Sequence, residues 1–280
     1  MQDLSTKYKG RILEVENLPA LPSTLHEVTR LMEMPDASTE QIAKVISYDQ
    51  ALTSRVLRMV NSPIYGFPGR ISSLQHAIML LGFNVIRGLI ISTVAFDAMN
   101  KGMRGLWEHS IGCSLCCAEI ARVAGKENPE EFAVAGLLHD LGKAVFILQL
   151  PEAKNEVLWQ VETHDLSFFE AEAKVLGFSH DKINSWLAEH WNLPLVIRQG
   201  MIYHHNPMGA EFYPDVAAAV QLGDFIVRLF GCGYGGDDGV SAVDPRSLKV
   251  LGISQKKLET LLDSLGAQLF GVIAQYGGRA

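Results

Sequence analysis

Within FAVAGLLHDLGKAVFILQL (132–150), three side chains stand out from an otherwise apolar run: His139, Asp140 and Lys143. Read as one helix at about 100° per residue, they fall at about 0°, 100° and 40°. Phe132, Phe146, Ile147 and Leu150 lie among them, so this arc is not a solvated face. A carboxylate in such surroundings is costly unless something positive meets it. Two partners suit Asp140: Lys143, one turn along, or a bound cation. On this stretch alone, an ion pair beside a core histidine and a metal ligand stand level.

The other histidines shift that balance. His109 sits in GLWEHS, His180 in GFSHDKINSWLAEHWNLP, and His204 and His205 form a doublet in MIYHHNP; Asp224 lies in the apolar VQLGDFIVRLF. Singly, each is a common packing or capping residue. Together they give an ordered set, one member or pair to each of several helices. Imidazoles with carboxylates suit borderline to hard divalent ions, and a metal would offset the burial of Asp140 and Asp224.

Helices must position these residues. Apolar residues recur with helical period almost throughout: Ile42, Val45 and Ile46 form one stripe, and Leu52, Val56, Met59 and Val60 another. The pattern predicts helices over 24–34, 39–47, 50–61, 73–81, 84–100, 104–124, 129–149, 152–164, 168–177, 180–190, 194–205, 214–230 and 255–276. Ser167 with Glu170 reads as a capping box, and Pro129 suits a first turn. No alternating strand or Asn-Gly hairpin is evident. The predicted fold is therefore an all-α, multi-helical bundle. A change of character near Asn100–Met103 divides it into an N-terminal helical subdomain (1–100) and a second (101–280) that carries the histidine set. The Gly-rich FGCGYGGDDG (230–239) lacks the setting and the lysine of a phosphate-binding loop, and reads as a connector.

Composition bounds the function. The 280 residues are 48% hydrophobic with a formal charge of −7, which fits a folded domain and argues against broad electrostatic capture of nucleic acid or an anionic membrane. VIRGLIISTVAF (85–96) is too short to span a bilayer and carries Arg87, so it reads as a core helix. The N-terminus shows no secretory signal, and the crowded thiols of CSLCC (113–117) suit a reducing cytoplasm better than a disulfide framework. Arg55 and Arg58 could be taken for a recognition helix, but short helices joined by a tight turn are common in α-bundles. Cys113, Cys116 and Cys117 read as buried thiols, and His26, His76, His164 and His190 as structural or exposed.

With GLLHDLGK (136–143) as its most specific segment, the pattern resembles the HD superfamily of metal-dependent phosphohydrolases. Over roughly residues 15–235 the chain resembles the narrower HDOD family, an HD-related output domain of bacterial signalling proteins. LPALPS (18–23), ISYDQALTSRVLRMVNSPIYG (46–66), ISSLQHAIMLLG (71–82), WNLP (191–194) and YHHNP (203–207) carry that likeness.

The resemblance implies that 101–280 is HD-like and that His109, His139, Asp140 and Asp224 hold a first divalent ion. His180, His204 and His205 match the extra histidines that hold further ions, and Lys143 would offer charge to a substrate phosphate. Fe, Mn, Zn, Ni and Mg are all compatible. Such ions would lower the pKa of a bound water and clamp phosphoryl oxygens. The implied function is a regulatory output domain acting through a signalling protein or a nucleotide ligand; the alternative is an active phosphohydrolase on a nucleotide or phosphodiester.

Three departures bear on this. The doublet continues as Asn206-Pro207, not into the acidic residue and GYP segment of the HD-GYP cyclic-dinucleotide phosphodiesterases, so that activity is not implied. Asn184 replaces a glycine and Gln50 a proline, both expected to affect local packing alone.

Overall fold

The helical period closes into helices along the whole computed structural model, which describes residues 4–13, 23–32, 34 and 37–276. Among the described residues there are fifteen α-helices, one short 3-10 turn and no strand. The N-terminal helices are α1 (Leu4–Leu13), α2 (Ser23–Met32), α3 (Thr39–Ser47), α4 (Gln50–Val60) and α5 (Leu74–Gly102), the last broken at Gly82 (φ +75°, ψ 170°) between the two helices expected over 73–81 and 84–100. Next come α6 (Leu106–Val123), α7 (Pro129–Leu138), α8 (Leu141–Gln149), α9 (Pro151–His164) and α10 (Phe168–Leu176). The last are α11 (His180–His190), α12 (Leu195–Tyr203), α13 (Pro214–Leu229), α14 (Pro245–Leu251) and α15 (Gln255–Tyr276). LPALPS lies outside the described residues apart from the backbone of Ser23, as does the side chain of His26.

Starts follow local chemistry. Ser38 and Ser167 each accept from the backbone N–H three residues on, and Gln41 and Glu170 reach back to complete the capping boxes of α3 and α10. Asp49, the residue before Gln50, caps α4 through Leu52 N. Ser167→Ala should therefore cost about 1 kcal/mol, read as a lower urea midpoint with unchanged slope.

α6 is the central helix, buried nearly all round. It packs against α7, α13 and α15, and α5 crosses to meet α7 and α8. All four cysteines are buried and free. Cys113 and Cys117 lie 3.9 Å apart and face the carbonyls of Val220 and Ala219, so the thiols fill the small gap between α6 and α13. Buried apolar residues of both halves form one continuous core. The window Leu74–Thr93 in α5 is long and apolar enough to cross a membrane by length and composition, but 61% of it is buried in the core.

Three sequence expectations need correction. The single helix expected over 129–149 is two, broken where Asp140 leaves helical geometry at φ −102°, ψ 10°. The sequence pattern predicts neither α1 nor α14. α1 is polar by composition and is held by tertiary contacts: Ile12 is buried, Tyr8 meets Phe178 edge-on, and Arg11 pairs with Glu152 while donating to the Gln149 carbonyl. The loop at 230–239 is more than a connector, as its place over the site makes plain.

Candidate metal centre

The break between α7 and α8 brings His139 and Asp140 into a turn. Interrupting the helical ladder frees backbone groups that must find partners. The buried Asn184 carboxamide of α11 supplies them: it donates to the His139 carbonyl and accepts from Gly142 N at 2.8 Å. It also donates to the Met201 carbonyl at 2.9 Å, tying the turn to α12 just before His204 and His205. The substitution of Asn for glycine at 184 is thus a clamp on the site and not a matter of local packing alone. Gly142 is fixed by the same approach, since a Cβ there would lie 2.4 Å from the His180 carbonyl oxygen.

All eight expected residues converge here. His109 comes from α6, His139 and Asp140 from the α7–α8 turn, Lys143 from α8, and His180 from the first residue of α11. His204 and His205 follow the end of α12, and Asp224 belongs to α13. His109, His139, Asp140, Lys143, His180 and His204 are at most 2% exposed, and Asp224 is buried at 8%.

Asp140 is the hub. Its Oδ2 lies 3.3 Å from His139 Nε2, 3.6 Å from His109 Nε2 and 2.7 Å from Lys143 Nζ. Its Oδ1 lies 3.3 Å from His180 Nε2 and 3.9 Å from His204 Nε2. On the first side, Asp224 Oδ1 closes the group at 3.0 Å from His109 Nε2. On the second, His180 Nε2 lies 3.0 Å from His205 Nε2 and 3.3 Å from His204 Nε2. Ligand atoms within 4.8 Å of one another define three overlapping groups: His109–His139–Asp224, His139–Asp140–His204 and His180–His204–His205.

The ring orientations decide what this cluster can hold. His139 Nδ1 faces the Gly136 carbonyl at 2.7 Å and His204 Nδ1 faces the Met201 carbonyl at 3.0 Å. A carbonyl has no proton to give, so each Nδ1 carries a hydrogen, and each ring when neutral turns a bare Nε2 inward. The His139 lone pair then faces an Asp140 oxygen, acceptor against acceptor. His109 Nε2, His139 Nε2 and Asp140 Oδ1 are buried without a hydrogen-bond partner. The two nitrogens lie on the Oδ2 side of Asp140 and Oδ1 faces the other histidines, so a cation on each side would satisfy these atoms, and the donor set fits divalent metal ions.

The electrostatics agree. Burial lowers His109, and burial with neighbouring cationic groups lowers His180 and His204 well below the ordinary imidazole range. His205 is pushed down to about 3 by its removal from water and by Lys143. These rings are neutral and able to ligate at neutral pH. His139 differs: burial opposes its charged form, but Asp140 outweighs that and holds it well above the usual value. A proton on His139 and a metal ion are thus alternative ways to fill the same gap. Burial alone would raise both carboxyls, yet His139 and Lys143 beside Asp140, and Arg228 beside Asp224, hold both well below the ordinary range.

Three contributors escaped sequence reasoning. Glu172 is wholly buried in α10 and accepts the His180 backbone N–H at 2.9 Å, with the same oxygen 2.6 Å from His180 Nδ1. Its position eight residues before a histidine gave no local signal. Arg228 donates to Asp224 at 2.9 Å and to Asp237 at 2.9 Å; its spacing of four from Asp224 on one helix was legible. The third is the 230–239 loop. Lys143 Nζ donates to the Gly235 carbonyl at 2.8 Å, and Asp237 accepts from Phe168 N at 2.9 Å. Gly233, at φ +72°, lies so near α6 that a Cβ would sit 2.2 Å from His109 N. The loop straps the outer end of the site.

A cavity of about 250 Å³ opens beside His204 and His205, walled by Lys143, Phe169, Asp224 and Arg228. Phe169 covers His205 with ring centroids 4.1 Å apart.

A family model for the HDOD domain matches residues 18–207. The chain belongs to the HDOD domain family. Six of the seven candidate ligands fall within that match; Asp224 lies beyond it and joins the group by geometry. An HDOD domain protein of unknown function from Geobacter sulfurreducens is similar at 26% identity and a TM-score of 0.75, with 97% of this chain and 95% of that chain covered. A candidate signal-transduction protein from Marinobacter aquaeolei VT8 shares the fold, with a TM-score of 0.74 at 20% identity over 99% of this chain and 65% of that one. An uncharacterized protein of Treponema pallidum (strain Nichols) is 26% identical over 82% of this chain. The chain spans 46% of that relative's length. The HDOD fold here is entirely helical among the described residues, as the sequence pattern requires.

Proposed function

We propose that the chain is a metal-binding regulatory output domain of a bacterial signalling system, its HD-type centre holding two divalent cations. The observation that carries this reading is Asp140, whose two oxygens face two separate sets of inward-turned imidazoles. His109, His139, Asp140 and Asp224 would hold one ion; His180, His204 and His205, with Asp140 between the sets, would hold the other. The imidazole-rich set favours transition metals over Mg. When bound, such ions supply Lewis acidity and neutralise charge on an oxyanion.

The residues around the cluster behave as supports. Glu172 orients His180, the Gly136 and Met201 carbonyls orient His139 and His204, and Arg228 sets Asp224. Glu172→Gln should lower metal affinity about 10–100-fold, measured by competition with a chromogenic chelator. An unchanged affinity would remove Glu172 from the site.

Regulation ranks above hydrolysis because the two cations at the cavity are already engaged. Lys143 is held by Asp140 and Gly235, and Arg228 by Asp224, Asp237 and the Gly239 carbonyl. Neither is left over for a substrate phosphate. The cavity beside the histidines supports the second reading, a metal-dependent phosphohydrolase. Metal-loaded protein screened against nucleotides and generic phosphodiesters separates them. Turnover that disappears in both Asp140→Ala and Asp224→Ala makes the protein an enzyme; metal binding without turnover supports the regulatory domain.

A further inference from the structure

A second cavity, larger than the one at the histidines, lies where the N-terminal helices meet the histidine-bearing half. Its volume is about 360 Å³, and α4, α5, α6, α7 and the turn after α4 all contribute walls. That size falls within the range of small-molecule pockets, about 300–1,000 Å³.

Its chemistry is divided between the two ends. The body is apolar, formed chiefly by Met59, Ile64, Phe96, Trp107, Ile111 and Leu137. Phe96 and Trp107 meet edge-to-face at 4.8 Å, and Phe96 is still 38% exposed. At the mouth stand Arg55 and Arg58, one turn apart on α4. Arg55 has a loose pair with Asp97 at 3.5 Å. Arg58 has no hydrogen bond or ion pair among the described residues. Ser62 Oγ, also on the wall, is buried without a partner. The solvent-facing guanidinium of Arg58 and the orphaned Ser62 hydroxyl beside an apolar chamber suit one acceptor-bearing anionic head with an apolar body.

We propose that this cavity binds an amphiphilic organic acid, a single carboxylate on an alkyl or aryl body. The head would meet Arg58 and Arg55, and the body would lie against Phe96 and Trp107. Of the other wall hydroxyls, Ser92 is committed to Leu89 O and Thr93 to Ile90 O, which leaves Tyr65 alone, so a nucleotide's many polar groups would find few partners. Ile111 and Leu137 set the ligand against α6, which carries His109, and against the end of α7, one residue before His139. The proposal does not depend on the metal-site reading.

Titration calorimetry of the full chain with decanoate, below its micelle concentration, tests it. One site per chain is expected. Arg58→Glu, on an exposed position of α4, should weaken binding by about tenfold or more. Phe96→Ala should weaken it as well, and decanol should bind far less tightly than decanoate. The proposal is overturned by absence of decanoate binding, by equal affinity of Arg58→Glu and the unaltered chain, or by equal affinity for decanol. Tighter binding of adenosine monophosphate than of decanoate would also overturn it, in favour of a nucleotide site.

Discussion

Asp140→Asn should strip bound divalent metal from the protein while leaving it folded. Asparagine keeps the side chain's size and one carbonyl to accept from Lys143 Nζ, now 2.7 Å from Asp140. What it removes is the negative charge shared by the two sets of imidazoles. Because Asp140 faces both sets, losing it should empty both positions, whereas Asp224→Asn should deplete mainly the side shared with His109. Elemental analysis should fall from roughly one or two ions per chain to near zero in Asp140→Asn. Circular dichroism serves as the control, since a variant that has lost its helices says nothing about ligands. Metal content equal to the unaltered protein, in a folded Asp140→Asn, would remove Asp140 from the centre.

The second large effect is on stability. Lys143 is among the largest fully buried side chains, its ammonium held between Asp140 and the Gly235 carbonyl. In metal-free protein, Lys143→Ala leaves Asp140 without its nearest cation and releases the strap over the site. Breaking such a buried pair from one side costs about 3–5 kcal/mol. Urea unfolding of the metal-free variant should show a loss of that size. Divalent metal should restore a large part of it, because the ions supply the missing positive charge and bind the folded state alone. If metal restores nothing, Asp140 and Lys143 form a plain structural ion pair and the histidines are packing residues. This comparison thus separates the two partners for Asp140 that the sequence left level.

Much of the molecule was legible in its sequence. The period of apolar residues located the core helices other than α1 and α14, and a serine with Glu170 three residues later fixed the start of α10. Carboxylates in apolar helices marked Asp140 and Asp224, the histidine inventory added its members, and the resemblance to the HD pattern supplied their roles and that of Lys143. The rest depended on contacts across long chain separations. Glu172 reaches His180 only because α10 turns back at Gly177, and a glutamate in an ordinary amphipathic helix carries no local mark. The break at Asp140 is stabilised by Asn184, 42 residues from the backbone N–H of Gly142 that it satisfies. Periodicity could not foresee it, since both flanks of the break read as one helix. The 230–239 loop reads as a connector in sequence for a similar reason. Its glycines looked like slack, but they let the backbone lie against His109 and Lys143. Helix α1 is the reverse case, a weak local pattern fastened by Arg11 to Glu152 and Gln149.

On the two-cation reading, metal ions occupy the space that Asp140 divides. Crystals of metal-loaded protein, measured at the absorption edge of the bound metal, test it most directly. The two-cation reading predicts one anomalous peak bounded by His109, His139, Asp140 and Asp224, and a second among His180, His204 and His205. A map of fully loaded crystals with no peak between His109, Asp140 and Asp224 would contradict it.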